Sequence, residues 1–282
     1  MSEADVIKKT KKVIGGPITS ESIQKDLEAI GVKPGMVLLV HSSLSKIGWV
    51  SGGPVAVILA LEEVLGTEGT LVMPTHSGDL SDPEEWSNPP VPQEWKEIIR
   101  QTMPAFDLEI TPTRGMGRIA ESFRNQRNVL RSNHPHMSFA ARGKFASLIT
   151  DNQPLDFSLG DGSPLARIYD LEGMILLLGV KHDNNTSLHL AEYRADFEGK
   201  KEIKQGAPII LDGKRQWVKI RDWDEHSENF IKLGKAYKKA GGSIMEGKIG
   251  MAKSKLIPQR ELVDFGVDWM NENVKIRNKR AD

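Results

Sequence analysis

The chain has 282 residues, 38 basic and 38 acidic side chains, a hydrophobic fraction of 39% and no cysteine. This composition is typical of a soluble globular protein. The absence of cysteine excludes disulfides, thiolate zinc sites, iron–sulfur clusters and a cysteine nucleophile. A formal net charge of zero provides no overall attraction for nucleic acid or for an anionic membrane.

No targeting or membrane segment is evident in the sequence. The first residues alternate charged and polar side chains and contain no apolar stretch of signal-peptide length. The most apolar segment, Met174–Val180, is much shorter than the roughly 20 residues that span a bilayer. We therefore expect a cytoplasmic protein that binds neither membranes nor nucleic acid.

Apolar segments of strand length alternate with helical patterns along the chain, which predicts a layered α/β architecture. The first unit contains a strand at Met36–Val40, a helix that opens at Gly52-Gly53-Pro54 and runs to Leu65, and a strand at Thr70–Met73. Proline suits the first helical turn, and Gly66 closes the helix. A strand–helix–strand unit of about 30 residues predicts that the two strands are parallel neighbours.

The segment from Thr75 to Thr113 has a different character, because it is rich in proline and carries an acidic cluster. An irregular insertion of this length in a compact domain is usually functional or disordered. Trp86 and Trp95 argue against disorder. We interpret the segment as an ordered, irregular flap.

The remaining pattern predicts further helices and strands without a convincing linker. They are a helix at Gly117–Arg124, a strand at Met137–Ala141, helices at Lys144–Thr150 and Pro164–Leu171, a strand at Met174–Val180, a helix at Thr186–Ala195, a hairpin at Ile209–Ile220, and helices at Glu225–Ala240 and Pro258–Val274. Asp212-Gly213 is a type I′ turn signal within the hairpin. We expect one domain, residues 1–282, with a smaller and less regular lobe.

The segment from Gly179 to Glu192 carries the clearest chemical pattern, since a buried strand ends, a polar loop follows and a helix begins near Thr186. Ligands of layered α/β proteins collect beyond the carboxyl ends of the strands. Thr186, His189 and Glu192 are spaced by three and share one helix face. The positive helix start favours a neutral imidazole, which can accept a proton, while the carboxylate fixes its tautomer. On spacing alone, however, a helix cap with a surface His–Glu pair is the commoner explanation.

Glycine-rich loops supply the other candidate ligand contacts. The loop from His41 to Gly53 offers hydroxyls and backbone N–H groups that suit a phosphate or an amide-rich ligand, although it lacks the Walker ending. Gly115-Met-Gly117 matches a dinucleotide fingerprint only weakly, because no apolar strand precedes it, and we reject NAD binding. Gly117 and Arg118 at a helix start still suit an anion. His134-Pro-His136 lacks a third ligand, so no metal site is predicted.

Taken together and in order, these segments resemble the aminoglycoside 3-N-acetyltransferase family from about residue 15 to 270. The matching motifs are His41-Ser-Ser-Leu-Ser45 with Gly48 and Gly52-Gly53, Leu71-Val-Met-Pro-Thr75, Ser81-Asp-Pro-Glu-Glu-Trp86, Arg114-Gly-Met-Gly-Arg-Ile-Ala-Glu121, His134-Pro, Ser138-Phe-Ala140, Gly162-Ser-Pro-Leu165, Leu176-Leu-Leu-Gly179, and the segment from His182 to Glu192. Any one of these motifs is weak, whereas the ordered set is specific.

The resemblance implies a three-layer α/β/α sandwich of the antibiotic N-acetyltransferase type with a smaller irregular or β lobe. It also implies a resistance enzyme that moves acetyl from acetyl-CoA to the 3-amino group of an aminoglycoside, by direct transfer and without a metal. The alternative is a CoA-binding relative that acts on another amine or has no aminoglycoside activity. The sequence leaves open whether the chain forms a homodimer.

By the same resemblance, His189 is the general base, Glu192 or Asp183 orients it, and Thr75 stands near the thioester and helps to stabilise the oxyanion. Helical spacing favours Glu192 as the orienting residue. The implied CoA contacts are Ser42, Ser43, Leu44, Gly52, Gly53, Gly117, Arg118, Ser138, Phe139 and Ala140. The acidic flap suits a polycationic acceptor through Asp79, Asp82, Glu84, Glu85 and Trp86.

Two hypotheses from other classes remain at this point. A non-catalytic CoA-binding protein would bind CoA without turnover of any amine. A hydrolase that uses Ser or Thr with His189 would release free acetate and show burst kinetics.

Overall fold

The computed structural model describes residues 2–274. The helices are α1 (Glu3–Ile14), α2 (Ser20–Ile30), α3 (Leu44–Ile47), α4 (Gly53–Leu65), α5 (Gln93–Thr102), α6 (Gly117–Arg124), α7 (Ala146–Thr150), α8 (Pro164–Asp170), α9 (Ser187–Arg194), α10 (Phe230–Lys239) and α11 (Gln259–Asn273). The strands are β1 (Val37–Ser42), β2 (Thr70–Pro74), β3 (Leu130–Arg131), β4 (Phe139–Gly143), β5 (Met174–Leu178), β6 (Glu202–Leu211), β7 (Lys214–Trp223), β8 (Met245–Ile249) and β9 (Ala252–Pro258).

Seven strands form the central sheet in the order β3-β4-β2-β1-β5-β9-β8. Strand β1 is parallel to β2 and to β5, whereas the other neighbouring pairs are antiparallel. The parallel pairing predicted for the first strand–helix–strand unit is therefore confirmed. The carboxyl ends of β2, β1 and β5 meet at one edge of the sheet.

Both faces of the sheet are covered, as the side-chain alternation of β1 illustrates. Leu38 and Val40 join a buried cluster with apolar residues of α2, α4 and α6. Val37 and Leu39 join a second cluster with residues of helices α7 to α11. Since successive strand residues point to opposite faces, the two clusters lie on opposite sides of the sheet. The expected three-layer α/β/α arrangement is confirmed.

Strands β6 and β7 form a separate two-stranded sheet that corresponds to the smaller lobe. Its turn residues Asp212 and Gly213 have φ values of 51° and 73°, and a type I′ turn requires this left-handed conformation at both positions. The hairpin is longer than predicted and extends from Glu202 to Trp223.

Several elements depart from the sequence predictions. Helices α1, α2 and α5 and strands β8 and β9 were not predicted, and α5 lies inside the flap that was expected to be irregular. The helix predicted to begin at Glu225 begins at Phe230. The extended residues before it let the backbone N–H of His226 donate to the Glu192 carboxylate over 2.9 Å. Between residues 2 and 274, no helix is long and apolar enough to cross a bilayer.

Candidate active site

A cleft of about 220 Å³ opens at the carboxyl ends of the three neighbouring strands β2, β1 and β5. Its walls also include the start of α6, the loop that leads into α9, and Glu225 beyond the hairpin. The lining residues are Val40, His41, Ser42, Pro74, His76, Gly115, Met116, Ala120, Val180, Asp183, Asn184, Asn185, Thr186, His189 and Glu225. The position matches the crevice expected from the strand order.

His189 reaches the cleft from the first turn of α9, which is anchored by its opposite face. Leu188 and Ala191 are fully buried, and Gly266 of α11 approaches them so closely that a Cβ there would lie 2.9 Å from the Ala191 Cβ. This packing leaves the face of α9 that carries His189 and Glu192 turned toward the strand ends that form the cleft. The imidazole edge also meets the Phe230 ring, with centroids 4.8 Å apart.

The predicted His189–Glu192 pair forms a direct and largely buried contact. His189 Nδ1 lies 2.8 Å from Glu192 Oε2, and only 3% of the Glu192 side chain is exposed. The other carboxylate oxygen accepts the His226 backbone N–H over 2.9 Å. A carboxylate held on both oxygens fixes the proton on Nδ1, which leaves the Nε2 lone pair as the acceptor of the ring.

Asp183, the other residue considered for orienting His189, is differently placed. It is an exposed residue in a short turn and lines the cleft. Its Oδ1 accepts the Asn184 side-chain amide over 3.0 Å. Within residues 2–274, the carboxylate that hydrogen bonds to His189 is that of Glu192.

The electrostatics of His189 differ from the sequence expectation. Burial lowers the pKa of His189, but the carboxylates of Glu225, Glu192 and Asp222 outweigh burial and raise it above the ordinary value. The helix N-terminus was expected to favour the neutral ring. Three carboxylates nearby act more strongly than the partial charge of one helix end.

Glu225 enters the cleft as part of a buried polar network that the sequence reasoning missed. The Tyr193 hydroxyl lies 2.9 Å from Glu225 Oε1 and 2.5 Å from Asp222 Oδ1. The Ser158 hydroxyl donates to Asp222 Oδ2 over 2.7 Å. Burial raises the pKa of Glu225, as does the Asp222 charge, while His189 opposes the rise. The network holds a second acidic group, Glu225, in the lining of the same cleft as His189.

Two further histidines line the cleft; His41 was named from the sequence only as the start of a ligand loop, and His76 was not assigned to the site. His41 lies near the end of β1, and His76 follows the end of β2 by two residues. Burial lowers the pKa of each ring to about 3, and the nearby His189 adds to the effect. Their Nε2 atoms are enclosed, and neither has a hydrogen-bond partner within residues 2–274. The position of both residues at strand ends was the available signal.

The loops predicted to contact CoA surround the cleft in part. Ser42 lines it, and Ser43 and Leu44 begin α3. Gly52 and Gly53 precede and open α4 with φ values of 86° and 57°. These two positions therefore require the left-handed backbone that glycine adopts readily.

A second predicted CoA loop lies at the start of α6. Gly117 has a φ of 84°, and a Cβ there would meet no heavy atom within 4 Å. Arg118 is exposed, and the preceding Gly115 and Met116 line the cleft. The start of α6 therefore presents an open backbone and an exposed cation beside the cleft.

The third predicted CoA segment lies inside the protein. Ser138, Phe139 and Ala140 are each 0% exposed, and they belong to or adjoin β4, which lies between β3 and β2 in the sheet. Ser138 bonds to Thr75 through both its hydroxyl and its carbonyl. Phe139 and Ala140 pair with Pro74 and Met73 of the neighbouring strand β2.

Thr75, the predicted oxyanion residue, is also fully buried. Its hydroxyl lies 3.1 Å from the Ser138 hydroxyl, and its backbone N–H donates to the Ser138 carbonyl over 2.8 Å. Its neighbours Pro74 and His76, rather than Thr75 itself, line the cleft.

The acidic residues of the flap form ion pairs with nearby basic side chains. Asp82 binds Arg100 of α5 through contacts of 2.7 and 3.0 Å, and Asp79 pairs with Arg114. Because α5 was not predicted, the partner of Asp82 was not foreseen.

The rest of the acidic cluster also lies outside the cleft lining. Glu84 accepts a hydrogen bond from Lys96 over 2.9 Å. The Trp86 indole donates to the Ser81 hydroxyl over 3.0 Å, and Glu85 is exposed. In residues 2–274, the carboxylates that line the cleft are those of Asp183 and Glu225.

No metal centre is apparent in the part of the chain that the structure covers. Within residues 2–274, no group of three or more His, Asp or Glu side chains is placed to hold a metal ion. His134 uses its ring as a local scaffold, since Nδ1 accepts the backbone N–H groups of His136 and Met137 over 3.1 and 2.9 Å.

Comparisons with known proteins identify the family of the chain. Residues 39–271 match the family model of aminoglycoside 3-N-acetyltransferases. The chain is 50% identical over 258 residues to the SPbeta prophage-derived aminoglycoside N(3′)-acetyltransferase-like protein YokD of Bacillus subtilis, covering 91% of this chain and 94% of that protein. The crystal structure of YokD superposes with a TM-score of 0.92 at 48% identity, over 96% of this chain and 98% of that chain.

Two more relatives carry functional names. The aminoglycoside N(3)-acetyltransferase VII of Streptomyces paromomycinus is 36% identical over 275 residues, covering 92% of this chain and 93% of that protein. A solved structure of AAC-IIIb as a binary complex with CoASH has a TM-score of 0.82 at 30% identity, over 93% of this chain and 99% of that chain. The chain therefore belongs to the aminoglycoside 3-N-acetyltransferase family and is an acetyltransferase.

Proposed function

We propose that the chain transfers acetyl from acetyl-CoA directly to the 3-amino group of an aminoglycoside, with His189 as the general base. The observation that carries this proposal is the buried His189–Glu192 pair, whose imidazole belongs to a cleft lined by further polar side chains. The name of the 36% identical Streptomyces relative supports the acceptor and the position of acetylation.

The proposed reaction proceeds in one transfer step without an acetyl-enzyme. The acceptor ammonium first loses one proton to solvent, and the free amine then attacks the thioester carbonyl carbon while His189 Nε2 takes a second proton from the nitrogen. Glu192 holds Nδ1 and stabilises the imidazolium that forms. The carbon–sulfur bond then breaks with its electron pair on sulfur, and the thiolate takes a proton to give CoA. The absence of cysteine is compatible with direct transfer.

The size of the cleft suits the reacting ends of two substrates. A space of about 220 Å³ is smaller than the 300–1,000 Å³ typical of drug-sized ligands. It admits an acetyl thioester and an amine, so the rest of CoA must lie outside it. We assign that part to the loops at Ser42–Leu44, Gly52–Gly53 and Gly117–Arg118. The CoASH complex of a relative supports CoA as the donor.

The acceptor approaches as a cation, since amines of this type are protonated at neutral pH. Glu225 and Asp183 are the carboxylates that line the described cleft, and either can pair with an ammonium group there. We propose that they receive the reacting end of the acceptor. In the flap, Asp79, Asp82 and Glu84 already pair with Arg114, Arg100 and Lys96, so a more distant ammonium group would have to compete with these cations for them.

Thiol release from acetyl-CoA with a panel of aminoglycosides tests the function, with the product analysed by NMR for acetylation at the 3-amino group. His189→Ala is the matched variant, and it should retain CoA binding while losing at least about 10²-fold in turnover. CoA binding without thiol release for any amine would indicate a non-catalytic relative. Free acetate without an acceptor would indicate a hydrolase, and turnover of other amines alone would overturn the aminoglycoside assignment.

A further inference from the structure

The proposed reaction gives no role to His41 and His76, two histidines that line the cleft. The Nε2 atoms of His41 and His76 are enclosed, and neither finds a hydrogen-bond partner in the described chain. Both residues line the same cleft as His189. An enclosed polar atom without a partner is unfavourable. Because both rings line the cleft, a turn of either ring when substrate binds would bring its N–H to a polar group of the substrate.

Both rings are suited to donate a hydrogen bond without exchanging a proton. Their pKa values of about 3 result first from burial and then from nearby charges, with His189 foremost among them. The rings therefore stay neutral at any pH at which His189 can act as a base. A neutral imidazole carries one N–H, which can polarise a carbonyl or bind an oxyanion.

The family resemblance assigned stabilisation of the oxyanion to Thr75, but the hydroxyl and the backbone N–H of Thr75 both contact Ser138. Its hydroxyl contacts Ser138 at 3.1 Å, and its N–H donates to the Ser138 carbonyl at 2.8 Å. The next residue, His76, reaches the cleft instead and packs edge-on against Phe139 with a centroid distance of 5.4 Å.

We propose that His76, together with His41, binds the acetyl carbonyl oxygen and stabilises the negative charge that develops on it. This role rests on the acetyl transfer proposed above. As the amine nitrogen bonds to the carbonyl carbon, the π electron pair moves onto the oxygen, where the N–H of His76 meets it, and His189 Nε2 takes the amine proton. The C=O bond then re-forms, the C–S pair leaves on sulfur, and the thiolate takes the proton back from His189.

The test compares variants that keep or remove the donor. His76→Phe retains a planar ring against Phe139 and removes the N–H, so kcat should fall by about 10²–10³. Affinity for CoA, which has no acetyl group, should stay within about twofold. His76→Gln keeps an N–H donor on its side-chain amide, so its kcat should be at least tenfold higher than that of His76→Phe. The pH midpoint of kcat should remain that of the wild type, because His189 still sets it.

An infrared measurement provides a readout that needs no acceptor. Difference spectra of bound acetyl-CoA, with and without ¹³C in the carbonyl, should show a lower C=O stretching frequency in the wild type than in free acetyl-CoA. His76→Phe, or His76→Leu if the first variant fails to fold, should return the frequency toward the free value. His41→Phe should act in the same direction.

Three results would overturn the assignment. They are a His76→Phe enzyme within threefold of wild-type kcat, a carbonyl frequency unaffected by either substitution, or a shifted pH midpoint that makes His76 an acid or base. Failure of the proposed function looks different, because the wild-type enzyme would then release no thiol with any aminoglycoside.

Discussion

Replacing Glu192 by Gln isolates the contribution of the orienting carboxylate with little change in shape. Glu192 uses both oxygens as acceptors, one for His189 Nδ1 at 2.8 Å and one for the His226 N–H at 2.9 Å. Glutamine has a single carbonyl oxygen, so one of the two contacts must be lost. If the amide NH₂ faces His189, the ring is driven to the tautomer with its proton on Nε2, which cannot act as the base.

The expected magnitude follows from that tautomer change. In a Ser-His-Asp triad the equivalent Asp→Asn substitution lowers kcat by about 10⁴, and general base catalysis contributes about 10²–10⁴ overall. We therefore expect kcat to fall by about 10²–10⁴, or about 3–5 kcal/mol of transition-state stabilisation. Because Glu192 is 3% exposed, solvent cannot replace the lost charge.

Thiol release under saturating acetyl-CoA measures this loss, with CoA calorimetry and thermal unfolding as controls for binding and folding. Asp183→Asn is the comparison variant, because Asp183 lines the same cleft without a described contact to His189. Its kcat should fall less than that of Glu192→Gln by at least tenfold. A Glu192→Gln enzyme that is folded and within threefold of the wild type would refute the reasoning, as would a larger loss for Asp183→Asn.

The remaining predictions concern pH, stability and backbone strain. The activity needs neutral His189, whose pKa is raised above 6.5, so kcat/KM should be lost as pH falls through a midpoint above 6.5; a lower midpoint contradicts the carboxylate cluster. Glu225→Gln removes the charge that raises the pKa of His189 most, so the midpoint should move to lower pH. An unchanged pH profile would mean that Glu225 does not influence the pKa of His189. Tyr193→Phe breaks the contacts to Asp222 and Glu225, and urea unfolding should show a loss of about 1–3 kcal/mol. Gly53→Ala meets no atom within 4 Å but forces a φ of 57° on alanine, so unfolding should show a loss of about 1–2 kcal/mol; no loss would mean that the backbone relaxes.

The sequence predicted the elements whose pattern is local and strong. Strands β1, β2 and β5 are buried on both faces, so they appear as continuous apolar runs. Strands β8 and β9 carry charged side chains at or near the edge of the sheet, where the hydrophobic signal fades. Helices α1 and α2 were missed although Ser2 and Thr19 provide capping-box signals at their starts.

The residues of the candidate site also differ in how far the sequence predicted them. His189 and Glu192 lie on one helix, so their spacing along the chain was enough to indicate the pair. His41, His76 and Glu225 come from three separate parts of the chain, and only the strand order and the course of the hairpin bring them together. The acidic side chains of the flap were treated as free, because the sequence pattern did not reveal α5, whose Lys96 and Arg100 pair with Glu84 and Asp82.

Single-turnover kinetics of acetyl-CoA with an aminoglycoside tests the central claim most directly. Wild-type enzyme should form the 3-N-acetyl product and free CoA at one common rate, with no acetylated protein in quenched samples analysed by mass spectrometry. His189→Ala should slow both by at least about 10²-fold while binding CoA with unchanged affinity. An acetyl-enzyme that forms and decays at competent rates, or a His189→Ala enzyme that transfers acetyl at the wild-type rate, would contradict the account.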